Sequence, residues 1–259
     1  MVRKVANMTL RIEVHGASVC FGGLQALQGV TFSLGAAEHL SIIGPNGSGK
    51  TTLLDGIAGS VPLDEGLVLL DGVPLSGMPE QRARLGIART FQRTQVFPSL
   101  TVADHLLVAL RARHGSPRLW RDLLRVTTRT ANERETITNC LDHVGLSGKE
   151  DVVVGTLGLG TCRMVELARA LVVEPRVLLL DECSSGLDDE ETRLLVDVVL
   201  ETSARTAMAV VAIEHDLTVV SAFGGETLVL VNGAIVGRGR LDEVLAMPKV
   251  ASAYLGEQL

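Results

Sequence analysis

Nearly unbroken apolar runs alternate with helix-period patterns at both ends of this chain, a rhythm that predicts an α/β protein with a parallel sheet covered by helices. Three runs carry it: "EHLSIIG" (38–44), "RVLLLDE" (176–182) and "AMAVVAIEH" (207–215). The last two are almost wholly apolar before they end in acids or a histidine, as a strand buried on both faces would be. In such a sheet, function belongs at the C-terminal ends of the strands. From about Arg93 to Leu159 the strand rhythm is lost and the sequence reads as a mostly helical insert. Within it, Thr101 and Asp104 form a capping pair for the helix that follows "FPSL". Arg118, Arg121, Arg125 and Arg129 recur there at helical spacing, opposite Trp120, Leu123 and Leu124. That pattern reads as a solvated charged face, the other reading being a face turned to acidic lipid headgroups or to a membrane partner.

The first candidate chemistry sits directly after the first of these runs. "GPNGSGKTT", Gly44 to Thr52, fits G-x-x-x-x-G-K-[ST] between a predicted strand and a helix that runs to about Gly59. In that pattern the glycines of the loop Gly44, Pro45, Asn46, Gly47, Ser48 and Gly49 let backbone N–H groups turn inward as an anion nest. Lys50 reaches the outer phosphates, the Thr51 hydroxyl serves as a Mg²⁺ ligand, and Thr52 supports the phosphate end from the helix N-terminus. A nucleoside triphosphate is the ligand this implies. The run "VLLLDE" then brings Asp181 and Glu182 to the same sheet edge, the first acid suited to hold Mg²⁺ and the second to polarise the attacking water. His215, in "AIEHD", ends a further strand, where an imidazole could contact the γ-phosphate; a structural histidine is the alternative.

Composition sets the outer limits. The 259 residues are 46% hydrophobic and 21% charged, which describes a globular protein able to bury a sizeable core. A net charge of -6 argues against a dedicated nucleic-acid binder. Cys20, Cys140, Cys162 and Cys183 form no Cys-x-x-Cys pair, so neither a zinc site nor a disulfide framework is indicated, and a reducing cytosol fits. The first ten residues lack a secretory-type apolar core, and no run of 18 uncharged apolar residues occurs.

The order of phosphate loop, "RTFQ", glycine-bearing helix start "LGLGT", "VLLLDE", "SSGLD" and "IEHD" resembles the nucleotide-binding subunit of ABC transporters over nearly the whole chain. The resemblance implies a P-loop NTPase (RecA-like) core with a helical subdomain and a small antiparallel β region. It implies one nucleotide-binding domain over 1–259, with the helical insert at about 93–160. ATP and Mg²⁺ are the ligands it implies. Phe21 becomes the aromatic that stacks on adenine, with an ordinary buried phenylalanine as the alternative. Gln92 becomes the loop glutamine that senses Mg²⁺ and the membrane partner, Asp188 lies in the loop that crosses a dimer interface, and His215 is the switch histidine. Lys50, Glu182 and His215 are then the catalytic group, and Thr51, Gln92 and Asp181 the metal set.

In this family two chains pair head to tail, each ATP lying between one chain's phosphate loop and the other's signature helix. The usual signature reads Leu-Ser-x-Gly-Gln. Here Leu157 and Gly160 match, while Gly158 replaces the serine and Thr161 the glutamine; Cys183 stands where proline usually follows the two acids, a change expected to be mild. The lost hydroxyl favours an asymmetric heterodimer, with a homodimer as the alternative. Two transmembrane permease subunits, a substrate-binding protein and a place on the cytoplasmic face of the cell membrane follow from the same resemblance. "GIARTFQRTQVFPSLTVADHL" and the terminal "AYLGE" look like the branched-chain amino acid importer ATPases. The other readings are a catalytically weakened or regulatory ABC subunit and a soluble ABC ATPase outside transport.

Overall fold

A computed structural model describes residues 10–92, 95–113 and 129–255. Its strands are β1 (Leu10–Phe21), β2 (Leu24–Gly35), β3 (His39–Ile43), β4 (Glu65–Leu70), β5 (Val73–Pro74), β6 (Ile87–Arg89), β7 (Val177–Asp181), β8 (Ala209–Ile213), β9 (Glu226–Val231) and β10 (Ala234–Gly239). The helices that matter for the site are α1 (Lys50–Ala58), α2 (Pro79–Leu85), α3 (Val102–Arg113), α4 (Ala131–His143), α5 (Leu159–Leu171), α6 (Asp189–Thr206) and α7 (Leu217–Phe223).

Two sheets form. An antiparallel one runs β2-β1-β4-β5 and a larger one β10-β9-β3-β8-β7-β6. In the larger sheet β9, β3, β8, β7 and β6 pair in parallel, and β10 closes its edge antiparallel to β9. The three runs singled out from the sequence become β3, β8 and β7, adjacent in the middle of this sheet.

Burial on both faces explains why these strands lack alternation. Val177, Leu179, Ala209, Val211 and Ile213 face the antiparallel sheet and α1, with Leu53, Leu54 and Ile57 in the same core. Their neighbours Leu178, Leu180, Val210 and Ala212 face the helices, in a core that includes Leu106, Leu141, Leu167 and Val199. Each strand therefore joins two cores, and a polar residue on either face would be buried without a partner.

In the region read as helical, α3 starts where the capping pair places it: the Asp104 N–H donates to Thr101 Oγ1 at 3.2 Å. Arg118, Arg121, Arg125, Trp120, Leu123 and Leu124 lie outside the described residues. Arg129 corrects the helical-face reading, because it lies in irregular chain just before Thr130, the N-cap of α4. Its guanidinium pairs with Asp104 at 2.9 Å and lies 3.8 Å from Asp151, tying α3 to the chain ahead of α4. Among the described residues no helix is long and apolar enough to cross a membrane.

Candidate functional site

The phosphate loop leaves the end of β3 and enters α1 directly. Gly44 and Gly49 take φ of 149° and 101°, and a Cβ at either would meet a backbone oxygen, Leu230 O at 2.0 Å or Ala26 O at 2.3 Å. Glycine is thus required by conformation and by space at both positions. Lys50 Nζ donates to Gly44 O at 2.7 Å and Pro45 O at 2.8 Å, folding the lysine back over the loop. Helix α1 has no side-chain cap and no acidic residue in its first turn, so its N-terminal N–H groups and dipole are left for an anion.

Side chains from adjacent strand ends gather beside this loop. Asp181 closes β7 in register with Ile213 of β8, which places Glu182 and His215 as neighbours just beyond. His215 Nε2 lies 2.8 Å from Glu182 Oε1, and the Gln92 amide donates to Glu182 Oε2 at 2.7 Å. Both carboxylate oxygens of Glu182 are therefore oriented. The residue itself adopts φ of 50°, a left-handed conformation that costs a non-glycine residue about 1 kcal/mol. Asp181 is buried and pairs through Oδ2 with Arg89 at 2.9 Å. Burial pushes its carboxyl above the ordinary range, and the Arg89 hydrogen bond pulls it back. Its Oδ1, like Ser48 Oγ, is buried with no hydrogen-bond partner.

Gln92 is held from behind by α5. Arg163 donates to Phe91 O at 2.8 Å and to Gln92 O at 2.5 Å. Glu166 accepts from the Gln95 N–H at 2.5 Å, and Arg169 donates to Gln95 O at 2.7 Å. Spaced three apart, these residues form one charged row aimed at loop backbone; Arg163 and Glu166 are buried and joined at 3.2 Å. Met164, Leu167, Ala168 and Leu171 of the same helix, spaced at helical period, are all buried.

A cleft of 650 Å³ opens over the loop. Its lining includes Phe21, Asn46 to Thr52, Gln92 and Glu182. Phe21 is 50% exposed at the tip of the β1–β2 hairpin, so the buried-phenylalanine reading does not hold. Gly158, Gly160 and Asp188 do not line this cleft. They lie at the starts of α5 and α6, where Gly158 is the N-cap of α5 with no side-chain hydrogen bond. A Cβ on Gly160 would fall 1.8 Å from Glu191 Oε1, whereas one on Gly158 would meet nothing within 4 Å. Asp188 caps α6, accepting from the Glu190 and Glu191 N–H groups at 2.9 and 2.8 Å.

Several residues that shape the site carry no motif. Leu24, Gln25, Gln28 and Asn232 complete the cleft wall. Arg89, which also pairs with Asp55 at 2.5 Å, had one visible sign, a lone charge ending the short apolar run before "TFQ". The fit to a triphosphate with Mg²⁺ rests on the glycine cradle, the open helix N-terminus and the unpartnered Asp181 oxygen. Among the described residues no group of three or more His, Cys, Asp or Glu could hold a metal. A hard cation here takes few protein ligands and fills its shell with phosphate and water oxygens.

Comparison with known proteins agrees with this geometry. The family described as "ABC transporter" matches residues 27–185. The chain is 34% identical over 250 residues to the high-affinity branched-chain amino acid transport ATP-binding protein BraF of Pseudomonas aeruginosa, covering 95% of this chain and 98% of that protein. Escherichia coli LivG, which carries the same description, is 33% identical with the same coverage. An iron counterpart is similar as well: the Fe(3+) ions import ATP-binding protein FbpC of Streptomyces coelicolor is 36% identical over 250 residues, 96% of this chain and 66% of that protein. Among solved structures, a nucleotide-free ATP-binding cassette from an ABC transporter superposes with a TM-score of 0.85 at 30% identity, over 95% of this chain and 98% of that one. The ADP conformation of another such cassette gives 0.83 at 30% identity, over 95% and 99% of the two chains.

Proposed function

The chain belongs to the ABC transporter family as an ATP-binding, ATP-hydrolysing subunit, and from that premise we propose that it powers an importer for branched-chain or related amino acids. The names of BraF and LivG, at near-complete mutual coverage, support the substrate class. We read residues 1–259 as one nucleotide-binding domain with a helical insert at about 93–160, working at the cytoplasmic face of a membrane. The observation that carries the mechanism is the convergence of Lys50, Gln92 and Glu182 on one phosphate-loop cleft, with His215 bonded to Glu182 behind them, while Gly158 and Gly160 do not line it.

Each chain thus holds half of two sites, and a second ATPase subunit completes them. Phe21 offers its exposed ring to the base, and the N–H groups of 46–52 take the phosphates. Lys50 exchanges its two carbonyl partners for phosphate oxygens. Thr51, Asp181 and Gln92 would hold Mg²⁺, which when bound neutralises charge developing on the phosphates. Glu182, fixed by His215 and Gln92, orients or deprotonates the water that attacks the γ-phosphorus in line, and His215 then preserves that arrangement.

Coupling to two permease subunits follows from where Gln92 sits. A groove of 390 Å³ lined by Ala83, Ile87, Phe91, Ala109 and Val173 lies between α2, α3 and α5, beside the Gln92 loop. It suits an apolar helix from a membrane subunit, to which a substrate-binding protein would deliver cargo. An asymmetric pair is the second reading, favoured by the unfilled N-cap at Gly158, since a serine there would add a hydrogen bond to the partner's phosphate. Mg-ATPase measured against protein concentration, with Lys50→Ala as the blank, tests both. A rate rising with the square of dilute protein means that two copies pair. Binding without turnover means that a different chain supplies the working signature.

A further inference from the structure

Glu214 stands directly before His215 and is 2% exposed, yet it takes no part in the chemistry above. Three donors converge on its carboxylate. Ser184 Oγ donates to Oε2 at 2.7 Å, while the Ser184 N–H and Cys183 Sγ donate to Oε1 at 3.3 and 3.2 Å. All three belong to the two residues that follow Glu182. Glu182 is the residue held at φ of 50°, and its own N–H donates to Ile213 O at 2.9 Å, one residue before Glu214. The turn is closed further by the Ser185 N–H on Glu182 O at 3.2 Å.

A strained conformation persists only where its surroundings over-determine it. Here the surroundings are the end of β8 and the Glu214 carboxylate. Proline, the usual residue at the position of Cys183, has neither a side-chain donor nor an N–H, whereas the Cys183 thiol is buried and spends its proton on Glu214. We propose that Glu214 is a positioning residue: it pins the turn after Glu182 to the strand end that carries His215, so that the water-activating carboxylate and its histidine partner move as one unit. Glu214 is buried and does not line the cleft, so it acts through Glu182. The inference rests on the ATPase reading above.

The test uses the complete transporter with Glu214→Ala, Glu214→Gln, Ser184→Ala and the double variant Glu214→Ala/Ser184→Ala, with Lys50→Ala as the blank. Steady-state ATPase gives kcat and KM, a fluorescent ATP analogue gives Kd, and thermal melting reports folding. Glu214→Ala should lower kcat about tenfold while KM and Kd stay within about twofold, because ground-state binding does not pass through Glu182. Ser184→Ala should lower kcat by about threefold, and the double variant should be no slower than Glu214→Ala alone, since both act through one contact. Glu214→Gln should recover most of kcat: its carbonyl accepts at the Oε1 position and its amide donates to Ser184 Oγ.

Near wild-type kcat in Ser184→Ala and Glu214→Ala overturns the proposal, as does a parallel loss of Kd and kcat. Should the alanine variant fail to fold, Ser184→Ala and Glu214→Gln still decide it: both at wild-type kcat, or Gln as slow as the blank, overturn it. Wild-type transporter no faster than Lys50→Ala would instead bring down the ATPase reading itself, and the role of Glu214 in turnover with it.

Discussion

Glu182 and His215 face each other across the ends of neighbouring strands, with Nε2 2.8 Å from Oε1. Since Gln92 holds the other carboxylate oxygen, losing one partner leaves Glu182 in place but free to turn. His215→Ala should therefore keep nucleotide affinity and lower turnover by about a hundredfold, the scale of a misplaced general base. Glu182→Gln should also bind ATP normally but abolish turnover; an analogue-binding titration beside single-turnover hydrolysis separates the two effects. Turnover near wild type in Glu182→Gln would assign water activation elsewhere.

The Arg89–Asp181 pair supports a stability prediction. Arg89 spans two acids, Asp55 on α1 and Asp181 on β7, with 8% of its side chain exposed. Arg89→Ala leaves the buried Asp181 charge unpaired, a change that costs about 3 kcal/mol. For a chain of this size, Tm should fall by roughly 6–12 °C. A melt within a degree of wild type would show that Asp181 is held by something else.

The two signature glycines should respond in opposite ways. Gly158→Ser introduces a hydroxyl into open space at an N-cap whose backbone already suits serine. It should raise ATPase of the assembled transporter several-fold, and an unchanged rate counts against a weakened signature. Gly160→Ala drives a methyl into the Glu191 carboxylate and should depress both stability and ATPase.

Glu133 governs an acid-range effect. Hydrogen bonds from Arg111 pull its carboxyl down to about 2 from 4.5. Because the folded value lies below the unfolded one, the stabilisation is complete above pH 4.5 and is lost as pH falls towards 2. Glu133→Gln should thus be less stable than wild type at pH 7, and the gap should close on acidification. Chemical denaturation across that range measures it.

How much of this the sequence discloses depends on what each residue faces. The runs that became β3, β7 and β8 were legible because burial on both faces imposes an unbroken apolar composition. Glu182 and His215 were legible because they end two of those runs, and Lys50 because it closes the G-x-x-x-x-G-K-[ST] pattern that follows the third. Arg163, Glu166 and Arg169 were not, since charges three apart on a helix look like a solvated face until loop carbonyls are seen above them. Glu214 was hidden for a related reason. Its partners lie 30 and 31 residues upstream, and only the pairing of β7 with β8 brings them into reach.

Glycine thus plays two unlike parts within five residues of "LGLGT". At 160 any side chain would displace the end of Glu191, whose carboxylate also accepts from the Asp188 N–H, so a change there disturbs the start of α6. At 158 nothing stands in the way. The hydroxyl missing at 158 is therefore one that descendants of this chain could regain in a single step without compensating elsewhere, with Thr161 still standing in place of the glutamine.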